Sequence, residues 1–372
     1  MTYCLAWKKE DRIFIVADSA ISTTEEINNY GTSYSAFGEL QDKYNDYFVY
    51  EHENKITRIN DNVTVCFSGV VSHAFDMLRI FEEVLSYGVS IDEAIQVLNN
   101  SATYSDVDLI IGYTKDNETR LFLIKEGQVI EGDLFEIGSG AGVSKWSESM
   151  RFWLGINYPI EHVLTIMVVV MQATAMTIFM LPEGVGGTFT GIELTPEGSR
   201  WCSDLSYCLY NNNKQYEGFI TILNRDDMVA TSSTFNNATK ILLGYTHKKS
   251  GEIRIKSERV EGISNELSKS EVDYLVLTNI NRRKVLIMYI DKSLHNHVFK
   301  MWRRDRDKKT DYMLVYDDKI GDYIFSSKHG DDDEMSLHFL DIHRFKADYI
   351  SLTDFEEQNG GRGNIENMEG YY

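Results

Sequence analysis

The sequence predicts an α+β protein built from layers of helix and mainly antiparallel sheet. Short β-prone runs recur along the chain with turn residues between them. In the first half, these runs come in blocks that are separated by pairs of amphipathic helices. The 372 residues, 43% of them hydrophobic, can bury one large core or two.

The amino terminus carries the first pair of strands. Residues 3–7 are typical of a strand, residues 8–12 of a polar turn, and residues 13–17 of a second strand rich in β-branched and apolar side chains. Chain termini are usually polar and frayed. A strand that begins at the third residue therefore indicates that this terminus is built into the fold.

The next elements follow a polar insertion at residues 23–53. The remaining strands of the first region are predicted at residues 55–59, 62–70, 107–114, 120–127, 134–140 and 184–194. The helices are predicted at residues 72–88, 90–100, 145–155 and 160–180. The second of these helices begins with a Ser and Asp capping signal.

The segment at residues 160–181 is apolar and almost long enough to cross a membrane. Pro159 and Pro182 flank it as start and stop signals for a helix. Glu161 and Gln172 would be costly in lipid. We therefore expect a buried helix of a soluble core and no membrane span.

Composition narrows the classes of function. A net charge of −20 and a pI near 4.9 argue against a general nucleic-acid binder, which needs a surplus of Lys and Arg. The polar turn at residues 8–12 comes before any signal-peptide core could form. The cysteines form no metal-type pair and indicate a reducing compartment; they are Cys4, Cys66, Cys202 and Cys208. We expect a cytoplasmic protein without a cofactor or a metal.

The second half of the chain is richer in strands. We expect a first domain at residues 1–202 and a β-rich domain of unknown role at residues 203–355. Its predicted strands lie at residues 218–224, 240–247, 252–260, 272–280, 284–291, 311–317 and 322–327. Residues 356–372 are acidic and rich in Gly and Asn, which predicts a disordered tail.

Thr2 is the first candidate for chemistry. If Met1 is removed, the chain begins with a residue that carries both a hydroxyl and a free α-amine. An α-amine has a pKa of about 7.7 to 8.0, so part of it is neutral at pH 7 and can accept the hydroxyl proton. One residue then supplies the nucleophile and the base.

Such a nucleophile needs a cation, an anion that orients the cation, and N–H donors for an oxyanion. Asp18 ends the second predicted strand, Lys55 begins the third and Gly69 ends the fourth. We expect adjacent strands to deliver the three residues to one edge of a sheet.

These residues lie in motifs that resemble a known family. Thr2 and the motifs "FIVADS", "NKITRI", "VCFSGVVSHAFDMLRIFEE" and "FEIGSGAG" resemble, in this order, proteasome β-subunits. In lacking a propeptide the chain is more similar to the peptidase ring of bacterial ATP-dependent two-component proteases. Both are N-terminal nucleophile (Ntn) hydrolases, and the resemblance covers residues 2–194.

The resemblance implies a fold and five roles. The fold would be the four-layer αββα Ntn-hydrolase sandwich, with an additional β-rich C-terminal region. Thr2 would be the nucleophile, Asp18 would orient the threonine and the lysine, and Lys55 would supply the positive charge. The N–H of Gly69 would stabilise the oxyanion, and Ser139 would contact the α-amine.

The resemblance also implies partners. The substrate would be a peptide or protein, and the chain would form a homo-oligomeric ring with a possible ATPase partner by analogy. The helix at residues 160–180 would be a core or ring-contact helix.

The chain departs from the family pattern at three places. The stretch between Asp18 and Lys55 is longer than in the family, so Lys43 competes with Lys55 for the role of the cation. In "EGVGG", Val185 stands where the family has an assisting serine, so that part of the site is absent or rebuilt. The acidic residue usual after the oxyanion glycine is replaced near His73.

Each assignment has an ordinary structural alternative. Thr2 can be a small second residue, Asp18 a turn cap, Lys55 a solvated lysine at a strand end, and Gly69 and Ser139 parts of tight turns. At the level of function, the alternatives are a small-molecule amidase on the same fold and a non-catalytic assembly protein.

Two further motifs are read as surface features. The contiguous "HNH" at residues 295–297 lacks the context of a nuclease. The "HGDDDE" at residues 329–334 is expected to be a solvated acidic loop rather than a cation site.

Overall fold

The computed structural model gives the chain a mixed α+β fold with several, mainly antiparallel, sheets. The structure describes residues 2–26, 34–101, 105–116, 118–210, 216–225, 228–235, 238–245, 273–279, 284–289, 310–317, 322–329, 335–338 and 346–351. The α+β class that the sequence predicts is confirmed.

The elements of the first region follow the predicted order. The strands are β1 (Cys4–Lys9), β2 (Arg12–Ala17), β3 (Ala20–Thr23), β4 (Lys43–Tyr44), β5 (Tyr47–Glu51), β6 (Ile56–Asn60), β7 (Val63–Gly69), β8 (Val107–Lys115), β9 (Glu118–Lys125), β10 (Gln128–Gly132), β11 (Leu134–Ile137), β12 (Thr190–Thr195) and β13 (Gly198–Trp201). The helices are α1 (Val71–Ser86), α2 (Ile91–Ser101), α3 (Ser144–Leu154) and α4 (Val163–Thr177).

Two five-stranded antiparallel sheets form the centre of this region. Their strand orders are β11-β1-β2-β12-β13 and β10-β9-β8-β7-β6. Alternate side chains of the two sheets meet in one buried hydrophobic cluster, in which Cys4 and Ile15 of the first sheet join Cys66 and Ile110 of the second. The amino-terminal strand is therefore central and not frayed.

Helices pack on the outer faces of both sheets. The apolar faces of α1 and α2 bury Phe81 and Leu98 with Phe67 of the second sheet. The predicted serine caps helix α2, but its partner is Glu93 and not an aspartate. Ser90 Oγ accepts from the N–H of Glu93, and the Glu93 carboxylate accepts from the N–H of Ser90. Helices α3 and α4 join a cluster with the other face of the first sheet.

Two predictions about the first region are wrong in detail. The polar insertion contains a small sheet of order β3-β5-β4, because "YFVYE" at Tyr47–Glu51 pairs with Ala20–Thr23. The strand predicted at residues 184–194 begins only at Thr190. Gly184 and Gly187 have φ angles of 71° and 70°, which form a turn and cannot continue a strand.

The second region forms further strands. They are β14 (Leu205–Tyr210), β15 (Tyr216–Arg225), β16 (Met228–Phe235), β17 (Ala238–Tyr245), β18 (Tyr274–Asn279), β19 (Lys284–Tyr289), β20 (Thr310–Asp317), β21 (Asp322–His329), β22 (Met335–His338) and β23 (Lys346–Ser351). One sheet has the order β17-β16-β15-β14-β18-β19-β23, in which β14 and β18 are parallel, and another has the order β20-β21-β22. The strand predicted at residues 252–260, the "HNH" motif, residues 330–334 and the tail at 356–372 lie outside the described residues.

The seven-stranded sheet packs against the same core as the first region. Tyr207, Ile222 and Val276 of this sheet belong to the cluster that contains α4 and the first sheet. Every residue of α4 is buried, and the apolar stretch Ile160–Thr177, which is long enough for a membrane span, is 83% buried inside the protein. The predicted second domain thus contributes directly to the core around α4.

Candidate active site

Thr2, Asp18 and Lys55 meet at one buried point. The Oγ1 atom of Thr2 donates to Oδ1 of Asp18 at 3.2 Å, and Nζ of Lys55 donates to the same oxygen at 2.6 Å. Thr2 and Lys55 are each only 2% exposed and Asp18 is 1% exposed. The ammonium group and the hydroxyl are therefore separated by a single carboxylate oxygen.

The strands explain why these side chains converge. Thr2 precedes β1 and Asp18 follows β2, and the pairing of Cys4 with Ala17 brings the two ends together. The backbone N–H of Tyr3 donates to Asp18 Oδ1 at 2.9 Å, which fixes the carboxylate beside Thr2.

Asp18 and Lys55 form a fully buried ion pair. Desolvation makes such a pair costly unless other hydrogen bonds satisfy its remaining polar atoms. Asp18 Oδ2 accepts from the N–H groups of Ala20 and Gly186, and Lys55 also donates to the carbonyl oxygen of Ala20. Both charges are thus held by several partners.

The structure separates the two candidate lysines. Lys43 is exposed on β4, where its ammonium group lies 5.8 Å from the centre of the Phe48 ring. Lys55 is buried against Asp18. The geometry therefore places Lys55, and not Lys43, beside Thr2.

Ser139 contacts the nitrogen of Thr2. The N–H of Thr2 donates to Ser139 Oγ at 3.1 Å, and that hydroxyl donates to the carbonyl oxygen of Glu183 at 2.6 Å. Gly138, with φ at 91°, lies against the backbone of Thr2, where a Cβ atom would collide with the Thr2 carbonyl oxygen. The "IGSG" segment therefore approaches Thr2 closely.

Gly69 lies at the end of β7 and makes no hydrogen bond to the other four predicted residues in the described part of the chain. Its φ is 105°, and a Cβ atom there would collide with the carbonyl oxygen of Asp106. The N–H of Phe67 donates to the Lys55 carbonyl oxygen, and N–H groups two residues apart leave the same edge of a strand. The Gly69 N–H therefore leaves β7 on the side of Lys55.

His73 lies on the first turn of α1, close to Gly69 in sequence. Its Nδ1 atom lies 3.0 Å from an oxygen of Asp106, the residue whose carbonyl oxygen also accepts from the N–H of Val70. These contacts hold the junction between β7 and α1.

Residues 183–188, hereafter the 183–188 turn, contact two carboxylates that the sequence interpretation missed. Glu39 accepts from the N–H of Gly187 at 2.8 Å, and Glu51 accepts from the N–H of Thr188 at 2.9 Å. Both carboxylates come from the insertion and are buried. The only local signal is at Glu51, an acidic residue that ends the apolar run of β5, and nothing in the sequence around Glu39 marks it.

Two buried carboxyl groups near the site have raised pKa values. Burial raises the pKa of Glu39 to about 7, against the opposing effect of donation from Gly187 and Ser35. Burial raises the pKa of Glu53 to about 8, although the positive charge of Lys55 opposes the rise. The backbone N–H of Asn54 also opposes the rise in the pKa of Glu53.

The arrangement supplies a hydroxyl, a carboxylate, an ammonium group and a serine hydroxyl on the nitrogen of Thr2. Among the described residues, no group of three or more His, Cys, Asp and Glu side chains could hold a metal ion. Neither the scan against protein-family models nor the search of curated proteins finds a match to this chain.

Proposed function

We propose that the chain is a threonine-type Ntn hydrolase that cleaves peptide bonds through an acyl ester on Thr2. The observation that carries this proposal is the contact of Thr2 Oγ1 and Lys55 Nζ with the same oxygen of Asp18. A hydroxyl beside a buried ammonium group can be deprotonated at lower cost, because the positive charge stabilises the alkoxide.

The reaction requires the removal of Met1. The α-amine of Thr2 then accepts the hydroxyl proton while Oγ1 attacks the scissile carbonyl carbon. The oxyanion is stabilised by the N–H of Gly69, and the amine passes its proton to the leaving nitrogen as the peptide bond breaks. Water, deprotonated by the same amine, attacks the ester and releases the acid and the free Thr2 hydroxyl.

The packing of the elements supports the proposed family. The two central sheets face each other, α1 and α2 pack on one outer face, and α3 and α4 join the cluster on the other. An αββα sandwich would have its layers in this order, which supports the proposed family. Ser139 Oγ lies 3.1 Å from the Thr2 nitrogen, where a hydroxyl can hold the freed amine.

The buried ion pair also argues for catalysis over a role in assembly alone. Asp18 and Lys55 are nearly fully buried, and replacing such a pair with apolar residues is often neutral or stabilising. A protein that served only as a scaffold could therefore do without the pair as a whole, whereas the proposed chemistry needs both charges beside Thr2. We therefore favour the enzyme.

The proposal includes a cellular compartment and an assembly. All four cysteines are free and buried, which fits a reducing compartment such as the cytoplasm. A ring of identical chains and an ATPase partner follow from the family resemblance, and light scattering of the purified chain tests the ring directly.

The experiment is a comparison of three chains with an unstructured polypeptide substrate. Intact mass shows whether Met1 is absent from the purified protein, and Thr2→Ala, Thr2→Ser and wild type are assayed for peptide cleavage. We expect Met1 to be absent, the serine variant to keep part of the activity and the alanine variant to have none. Full activity of Thr2→Ala, or an intact Met1 in an active chain, would overturn the proposal.

A further inference from the structure

We propose that Glu39 and Glu51 are positioning residues of the Thr2 site, which hold the 183–188 turn against Asp18 and Ser139. The inference rests on the proposed function, because it concerns the same nucleophile. It assigns a role to the insertion that separates Asp18 from Lys55.

Three successive N–H groups of the turn each donate to a different buried carboxylate. The donors and acceptors are Gly186 N to Asp18 Oδ2 at 3.0 Å, Gly187 N to Glu39 Oε2 at 2.8 Å and Thr188 N to Glu51 Oε1 at 2.9 Å. Hydrogen bonds to a charged acceptor are about twice as strong as neutral ones. The turn is therefore bound to the carboxylate that touches Thr2 and to its two neighbours.

The two glycines make this close approach possible. A Cβ atom at Gly186 would lie 2.9 Å from an oxygen of Glu39, and one at Gly187 would lie 2.7 Å from Cγ of Glu51. Gly187 also has a φ of 70°, a conformation that other residues rarely adopt. The Gly-Gly pair and the two glutamates are thus packed as one unit.

The insertion holds the two carboxylates from the other side. Ser35 Oγ donates to Glu39 at 2.9 Å, and the N–H of Ala36 donates to Glu51 at 2.5 Å. Residues 34–41 therefore connect through the two glutamates to the 183–188 turn.

The turn reaches both ends of Thr2. Through Gly186 it contacts Asp18, which accepts from the Thr2 hydroxyl. Through the Glu183 carbonyl oxygen it accepts from Ser139, which contacts the Thr2 nitrogen. A shift of the turn would therefore move the groups that orient the hydroxyl and the amine together.

Helix α4 anchors the same turn without an ionisable group. Gln172 Nε2 donates to the Gly187 carbonyl oxygen at 2.8 Å, and Gln172 Oε1 accepts from the N–H of Phe189 at 3.0 Å. The described charged groups that face Glu39 are the carboxylates of Glu51 and Asp18, both of which raise its pKa. Protonation of Glu39 weakens its acceptor for Gly187, so the alignment of Thr2 is expected to change with pH near 7.

The test measures how fast a peptide β-lactone acylates Thr2. In this step the Thr2 oxygen forms an ester with the lactone carbonyl, the ring C–O bond breaks, and the hydroxyl proton ends on the released alkoxide. Wild type is compared with Glu39→Ala and Glu39→Gln. The control is Glu193→Gln, which alters a buried carboxylate that pairs with Arg12 and Arg200, away from the turn.

We expect Glu39→Ala to lower the acylation rate at saturating lactone by about 10- to 100-fold, with little change in the half-saturating concentration. Glu39→Gln keeps an acceptor for Gly187 and should restore most of the rate above pH 7. As the pH is lowered, its rate should fall only with protonation of the Thr2 α-amine, without the further fall that protonation of Glu39 causes in wild type near pH 7. The Glu193→Gln control should keep the wild-type profile. A purely structural role would not produce this change in pH profile.

Each other outcome decides against the inference. A wild-type rate and pH profile in Glu39→Ala would overturn it and leave the proposed function intact. If Glu39→Ala fails to fold, a wild-type pH profile in Glu39→Gln overturns it. A wild-type chain that the lactone leaves unlabelled would overturn the proposed function and this inference together.

Discussion

The Nζ atom of Lys55 lies 2.6 Å from Oδ1 of Asp18, with both side chains almost fully buried. The same oxygen accepts from the Thr2 hydroxyl. Because the acid of this buried pair also contacts Thr2, the pair connects the stability of the fold to the chemistry proposed for it.

The first prediction concerns this lysine. Lys55→Met keeps the length of the side chain but leaves Asp18 buried without its cation, which should lower the free energy of unfolding by about 3 to 5 kcal/mol. Loss of the positive charge should also reduce acylation of Thr2 at least about 100-fold. Urea denaturation and β-lactone labelling measure the two effects.

The matched control for this variant is Lys43→Met. Lys43 is exposed and lies over the Phe48 ring, so its removal should leave labelling unchanged and shift stability by less than about 1 kcal/mol. Equal loss of labelling in the two variants would contradict the assignment of Lys55.

The second prediction concerns the approach of "IGSG" to Thr2. In Gly138→Ala the new Cβ atom meets the Thr2 carbonyl oxygen at a φ of 91°, so the backbone has to move. We expect a loss of about 1 to 3 kcal/mol of stability and a loss of labelling that exceeds the unfolded fraction. Gly142→Ala, in the same segment, meets nothing within 4 Å and should behave as wild type. Wild-type labelling of Gly138→Ala would argue against a fixed contact at Thr2.

The third prediction concerns the buried carboxyl group of Glu53. Its pKa is about 8 in the folded chain, against an ordinary value of 4.5 in the unfolded chain. Between these two pH values the folded chain therefore holds a proton that the unfolded chain has released. Its contribution to stability is therefore complete below pH 4.5 and is lost as the pH rises to about 8. The loss should amount to a few kcal/mol.

Glu53→Gln removes this titration. Relative to wild type, the variant should gain stability between about pH 5 and about pH 9, as measured by urea denaturation at each pH. The control is Glu193→Gln, which makes the same substitution at a buried glutamate that is paired with two arginines. A pH dependence in Glu53→Gln identical to that of wild type would show that Glu53 is not the titrating group.

The fourth prediction concerns the boundary between the two expected domains. Leu205, Tyr207 and Ile222 share a buried cluster with α4, so a fragment of residues 1–202 exposes the face of α4 that they cover. We expect that fragment to aggregate or to bind a hydrophobic dye, whereas residues 1–355 should label like the full chain. A soluble fragment 1–202 with full labelling would support an independent first domain.

Much of the fold could be predicted because its signals are local. Runs of apolar and β-branched residues on either side of a polar turn place β1 and β2, and Ser90 gives the start of α2. The sequence also placed Thr2, Asp18 and Lys55 at or beside the ends of strands. The expectation that adjacent strands bring Asp18, Lys55 and Gly69 to one edge of a sheet is wrong, because β2 belongs to one of the two facing sheets and β6 and β7 to the other.

The rest of the fold and of the site depends on contacts between segments that are distant in sequence. Glu39 and Glu51 become part of the site only when the insertion meets the 183–188 turn, and nothing in either segment alone specifies that contact. The parallel pairing of β14 with β18 likewise joins strands that are far apart in sequence. The choice of Lys55 over Lys43 also needed the tertiary structure, because Lys43 begins β4 and Lys55 lies directly before β6.

The most direct test of the central claim is peptide mapping of the adduct that a peptide β-lactone forms with the wild-type protein. The account predicts one acyl group, on the hydroxyl of a Thr2 that is the first residue of the mature chain. An adduct on any other residue, or on a Thr2 that still follows Met1, would contradict it.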